Sequence, residues 1–126
     1  MTDQPRVIAF LLLLLAIGFS TTGELFLKKG ITLAGGFEFS LPGLVRTFTT
    51  WQVLAGFVLF FTGALVWLKV LSLVDLSWAY PMLALGYPIV VLGSLVFLGE
   101  PVSLQRVLGS LLILAGVYVM YRSWGS

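Results

Sequence analysis

Residues 77–103 read SWAYPMLALGYPIVVLGSLVFLGEPVS. From Leu76 to Leu98 the chain carries no charge, and at about 1.5 Å per helical residue this run crosses a hydrocarbon core of roughly 30 Å. Pro81 and Pro88 interrupt it, with Gly86 between them. Each proline removes a backbone donor and disturbs the turn before it, and the glycine loosens the segment between. In a bilayer such breaks are tolerated where protein or a water-filled cavity satisfies the freed carbonyls. The stretch therefore predicts a membrane helix that bends and lines a cavity, with Pro81, Gly86 and Pro88 as the kink and gating positions.

Three further apolar runs are long enough to span: about Val7–Leu27, Trp51–Val74 and Leu104–Tyr121. Together they predict an all-α membrane protein, with residues 1–126 forming a single four-helix transmembrane domain. The first run follows Arg6 as a secretory signal would, yet it is roughly twice the length of a signal core and no small-x-small cleavage site follows, so it reads as a retained span. Gly99 and Pro101 end the third span and Ser103 caps the fourth. Almost nothing separates the second span from the third near Asp75. Residues 28–50 form the one long link, broken by glycine and proline, with Leu41–Phe48 as a short interfacial helix.

Composition supports the bilayer as solvent. Of 126 residues 60% are apolar and 10% charged, and the mean hydropathy is +1.10. A net charge of +2 from scattered residues makes no basic stripe, so nucleic acid is set aside as a partner. With no cysteine and no histidine there is no disulfide framework, thiol nucleophile or soft-metal ligand set. Five acidic residues, far apart, leave little material for hydrolytic or metal chemistry. No cofactor, no metal and no enzymatic activity are expected. Four spans put both ends on one side, so Arg6, Lys69 and Arg122 oppose Lys28, Lys29, Arg46 and Arg106. That near-balance leaves the topology open under the positive-inside rule and is what a chain inserting in both orientations would show.

The charges inside the spans are the candidate working residues. Residues 20–30 read STTGELFLKKG, with Glu24 and Lys28 one turn apart in the favourable order for an ion pair. Either they snorkel to the interface, or they border a polar cavity while Lys29 anchors the helix end. Lys69 lies roughly 8 Å by helical rise inside the end of the second span, beside Trp67. It either snorkels or offers a point charge to a phosphate headgroup. Trp78 and Tyr80, at the start of the third span, are either interfacial belt residues or contacts for a sugar or isoprenoid. Glu100 reads as a loop charge that could pair with Arg106. Gly56 and Gly63, Gly86 and Gly93, and Gly109 and Gly116 are pairs seven residues apart, each on one helix face where another backbone can come close. These stripes serve packing within one bundle or contact with a partner. Four short helices hardly enclose a substrate, so at least a dimer is expected, with the Gly109/Gly116 face as the candidate contact.

STTGELFLKKG, residues 67–103 and GSLLILAG together resemble the four-helix drug/metabolite transporter superfamily, which includes the small multidrug resistance and EamA-like proteins. The likeness is greatest to the paired Arn E and Arn F subunits, which flip undecaprenyl-phosphate-linked aminoarabinose across the bacterial inner membrane. It covers nearly the whole chain, and "AYPML" followed by "GEPVS" is more specific for the superfamily than for a substrate. In the multidrug exporters a membrane-embedded glutamate lies three residues before a glycine. With Gly23 as that glycine, Ser20 takes the place of the carboxylate, and Glu24 stands where the Arn E subunit has an uncharged amide. "WLK" at Trp67–Lys69 is similar to the Arn F subunit's tryptophan-x-lysine, and GSLLILAG resembles the exporters' dimer-forming stripe.

The resemblance implies a flippase, or a flippase subunit, for a polyprenyl-phosphate-linked sugar. It would act as a homodimer, parallel or antiparallel, or as a heterodimer with a similar subunit in the bacterial inner membrane. On that reading a charged headgroup enters among the first three helices, Lys69 neutralises its phosphate and the third span moves. Two alternatives stay open: a proton-coupled antiporter of organic cations, in which Glu24 must titrate, and a non-transporting membrane subunit that steadies a larger enzyme.

Overall fold

A computed structural model describes residues 4–123. Its order is α1 (Gln4–Leu33), α2 (Leu41–Phe48), α3 (Trp51–Leu73), α4 (Leu76–Met82), a 3-10 turn (Leu83–Leu85), α5 (Gly86–Gly93), a π turn (Ser94–Leu98) and α6 (Leu104–Arg122). No strand occurs among the described residues. Four segments are long and apolar enough to cross a membrane: Arg6–Leu33, Trp51–Leu73, Leu76–Leu98 and Leu104–Arg122.

α1 runs past the expected end at Leu27 to Leu33. Lys28 and Lys29 are good helix formers whose long side chains reach the headgroup level, so they do not stop the helix. Gly30 is buried against α3, where an added Cβ would sit 2.6 Å from Val53 Cγ2. The stop comes at Gly35 and Gly36, whose φ values of 89° and 103° suit glycine and end the winding. At 30 residues α1 is about 45 Å long and projects beyond the hydrocarbon. α2 then begins at Ser40, whose Oγ accepts from Gly43 N at 3.2 Å. It buries Gly43 and Thr47 and turns Leu41, Val45 and Phe48 outward, as an interfacial helix does.

α3 returns antiparallel to α1, and the two backbones all but touch. A Cβ at Gly23 would meet Gly56 O at 2.7 Å and Phe60 N at 2.9 Å; one at Gly56 would meet Gly23 O at 2.8 Å; one at Gly63 would meet Ser20 Oγ at 2.6 Å and Ala16 O at 3.0 Å. Helices in lipid gain nothing by hiding apolar surface from water, so their association rests on close approach of this kind. Gly86 and Gly93 make looser contacts with the other side of α1, Gly86 near Thr21 and Ile17 and Gly93 near Leu25.

The third span departs from regular α winding where its prolines predict. Pro81 lies inside α4, the 3-10 turn follows, and Pro88 falls in the first turn of α5, where a missing N–H costs least. After the π turn, Gly99 at φ 68° closes the span and Glu100 N donates to Ser94 O at 3.1 Å. Ser103 Oγ accepts from Arg106 N at 3.3 Å and starts α6.

The packed core lies toward the termini, where Leu13 and Ile17 meet Val70, Trp78, Ala79, Met82 and Val117. Trp78 is only 6% exposed and packs its ring 6.0 Å from that of Tyr121. Within this chain it is thus a core residue, where the sequence predicts a belt residue or a substrate contact. The reason is register: Trp78, Ala79 and Met82 share the face of α4 turned toward α1 and α6. α6 adds only Val117 to the buried set, and nothing lies within 4 Å of a Cβ added at Gly109 or Gly116.

Two substitutions separate these glycine environments. Gly23→Val should push α1 from α3 and destabilise the chain by about 1–3 kcal/mol, the usual cost of overpacking. Gly109→Ala should stay within about 0.5 kcal/mol of the parent. Denaturant unfolding of the purified protein in detergent reads both, and equal stability of the two variants would contradict the packing described.

Candidate functional site

α1 forms the floor of a groove walled by α3 on one side and by α4 and α5 on the other, with a volume of about 400 Å³. Glu24 lies on the floor. Ser20 and Thr21 stand beside it, and Tyr80 and Tyr87 come from the opposite wall. The arrangement follows from helical spacing. Ser20 and Glu24 are one turn apart on α1, while Tyr80 and Tyr87, seven residues apart across the 3-10 turn, present two rings along one wall. Pro81 and Gly86 line the same groove, so the interrupted winding is part of its wall. At its terminal end the Trp67 and Tyr80 rings meet edge to face, with centroids 6.3 Å apart, and join α3 to α4.

The groove has the chemistry of a cation site. No basic residue lines it, and no cation pairs with Glu24 among the described residues. Thr21 Oγ1 donates to Ile17 O at 2.7 Å, which leaves its lone pairs for a ligand. A carboxylate flanked by hydroxyls and aromatic faces favours a positively charged group. Thr21 and Tyr87 were not singled out from the sequence, and Ser20 only as the residue in place of the exporters' carboxylate. The available signal was the spacing of Ser20 from Glu24 and of Tyr80 from Tyr87, which places each pair on one helix face.

Three charged residues have neighbours other than those expected. Lys28 pairs with Glu100, Nζ to Oε2 at 3.8 Å, in place of Glu24. The two α1 positions do share a face, but the π turn brings the Gly99–Glu100 corner over the end of α1 and offers Lys28 a partner nearer the aqueous phase. Arg106 consequently does not pair with Glu100; its Nη1 donates to Pro101 O at 3.2 Å. Lys69 is exposed and does not reach the groove. Two residues beyond Trp67 is about 200° around the helix, so Lys69 projects from the far side of α3. The α1–α3 register sets Glu24 beside Phe60, and Lys69 lies about 14 Å further along the axis. Within one chain the structure therefore brings Glu24, Tyr80, Pro81 and Gly86 to one groove, sets Trp67 against Tyr80 outside its lining, and leaves Lys28, Lys69 and Trp78 apart from them.

Comparison with known proteins returns relatives that cover most of the chain. It is 40% identical over 111 residues to the "Probable 4-amino-4-deoxy-L-arabinose-phosphoundecaprenol flippase subunit ArnE" of Erwinia tasmaniensis, covering 87% of this chain and 94% of that protein. Proteins of the same description from Pseudomonas savastanoi pv. phaseolicola and Pseudomonas fluorescens are 34% identical over 116 residues and 37% identical over 109 residues. These alignments cover 90% and 86% of this chain and 96% and 93% of the respective relatives. No protein-family model matches, and no solved structure matches.

Because the sequence has no cysteine, single-cysteine labelling reads the groove without background. Glu24→Cys should react with a membrane-impermeant thiol reagent at least tenfold faster than Leu13→Cys, which is fully buried in the core. Equal rates at the two positions would show that water does not reach Glu24.

Proposed function

Since the chain belongs to the family of ArnE flippase subunits, we propose that it works as one subunit of a flippase that moves a polyprenyl-phosphate-linked amino sugar across the bacterial inner membrane. The observation that supports this most directly is the Glu24 groove. In this reading a polar headgroup occupies the groove while the attached chain stays in lipid. The amine of the sugar is a cation, and Glu24 with Tyr80 and Tyr87 supplies a carboxylate and two ring faces to receive it. Nothing in this role makes or breaks a covalent bond, and the protein acts as a carrier.

One copy does not enclose a headgroup. The face of α6 bearing Gly109 and Gly116 is open, and Leu108, Leu112 and Val119 are exposed on the same helix. This surface receives the second subunit, which is either an identical chain or a similar four-helix protein. Alternation between the two membrane faces uses the span already interrupted at Pro81, the 3-10 turn and Pro88, because its freed carbonyls allow repacking at low cost. As the wall carrying Tyr80 and Tyr87 shifts relative to α1, the groove changes the side to which it opens.

A second reading, proton-coupled exchange of organic cations, draws on the same carboxylate and rings. The two differ in what must accompany the cation. A flippase moves a phosphate-linked lipid, whereas an exchanger releases protons when a soluble cation binds.

The test is flipping in proteoliposomes that contain this chain with its partner subunit. Glu24→Gln should slow movement of the amine-bearing lipid by about tenfold or more, the value of a hydrogen bond to a charged group. It should leave an N-acetylated, uncharged version at the parent's rate. Unchanged movement of the amine-bearing lipid in the variant would remove Glu24 from the mechanism. Proton release on adding a quaternary ammonium to the purified chain, without lipid flipping, would favour the exchanger.

A further inference from the structure

A second cleft, of about 440 Å³, opens on another side of α1, between it, the start of α3 and the π turn. Phe26, Trp51, Phe97 and Leu98 form its apolar walls, with the Phe26 and Trp51 rings edge to face at 6.2 Å. Thr22, Lys29 and Gln52 are its polar lining residues. Trp51 and Gln52 begin α3 and Leu98 ends the third span, so the cleft lies at the membrane surface remote from the chain termini. Lys29 is five residues beyond Glu24, which is about 140° around α1 and about 7.5 Å along it. The cleft is therefore separate from the Glu24 groove.

The charges at this end of α1 have different situations. Lys28 is matched by Glu100, whereas Lys29 is exposed and has no ion pair among the described residues. An ammonium at headgroup depth beside an amide donor, above an apolar cleft, complements a phosphate joined to a hydrocarbon chain. The cleft is single and carries one cation. In a polyprenyl phosphate the phosphate is bonded directly to one chain, whereas in a glycerophospholipid a glycerol unit separates it from two.

We propose that this cleft captures the phosphate end of the carrier lipid. Lys29 and Gln52 hold the phosphate, and the first isoprene units lie against Phe26, Trp51 and Phe97. This inference rests on the flippase reading and deepens it: the carrier lipid docks at Lys29, on α1, before its headgroup enters the separate Glu24 groove, so Lys29 rather than Lys69 meets the phosphate.

Native mass spectrometry of the purified full chain in detergent tests it, with undecaprenyl phosphate, undecaprenol and phosphatidylglycerol as competing probes. Undecaprenyl phosphate should be retained in preference to the other two. Lys29→Gln should weaken its retention by about fivefold or more, the worth of one lysine near a membrane surface, and Arg46→Gln, a charge loss on the same membrane face, should leave it unchanged. Equal retention of undecaprenol would show that the phosphate is not read. Equal retention of phosphatidylglycerol would make the cleft a general anionic-lipid site, and an unaffected Lys29→Gln variant would overturn the assignment. Failure of the flippase reading looks different: the parent chain and its partner move no lipid in proteoliposomes, whatever binds at Lys29.

Discussion

The contact on which the rest of this molecule depends is the approach of α3 to α1 through Gly23, Gly56 and Gly63. In lipid two helices gain no free energy by hiding apolar surface from water, so the pair is held by the dense van der Waals contact that glycine allows between backbones. With α3 fixed on one side and α5 resting through Gly86 and Gly93 on another, α1 becomes the central helix. Both clefts are cut beside it, and each takes its charged group from it: Glu24 in one, Lys29 in the other.

Packing is unequal along the membrane normal, and this inequality creates the clefts. Toward the termini, Leu13, Val70, Met82 and Trp78 close the space between the helices. Toward the other surface, Thr22, Leu25 and Phe26 face clefts. The prolines of the third span stand near the change from one regime to the other. A wall built from short helices joined by 3-10 and π turns has fewer regular hydrogen bonds to break when it moves than a continuous helix would.

In a chain with so few charges, several have an assigned neighbour. Arg6 lies over the Tyr121 ring at 4.9 Å, Arg122 donates to Tyr118 Oη at 3.1 Å, and Lys28 meets Glu100. These contacts sit at the membrane surfaces, where exposed pairs contribute about 0–1 kcal/mol and mainly orient the helix ends. Glu24 differs from them in depth and in its setting of hydroxyls and rings, and the proposed headgroup contact rests on that difference.

By itself the sequence determined that this chain is a set of four membrane helices. Length and hydropathy answer directly to bilayer thickness, and the glycine pairs and prolines mark where helices approach or bend. It also drew attention to Glu24, Tyr80, Pro81 and Gly86, which line one groove in the structure, because ionisable and helix-breaking residues inside a span are rare enough to stand out. The tertiary structure alone decided which of these share a space. Whether Lys69 and Trp67 face the same groove depends on rotation about α3, and whether Lys28 answers Glu24 or Glu100 depends on where a loop distant in sequence comes to rest. Trp78 went to the core for the same reason: hydropathy reports that a residue is in the membrane, while only helix packing sets which way it points.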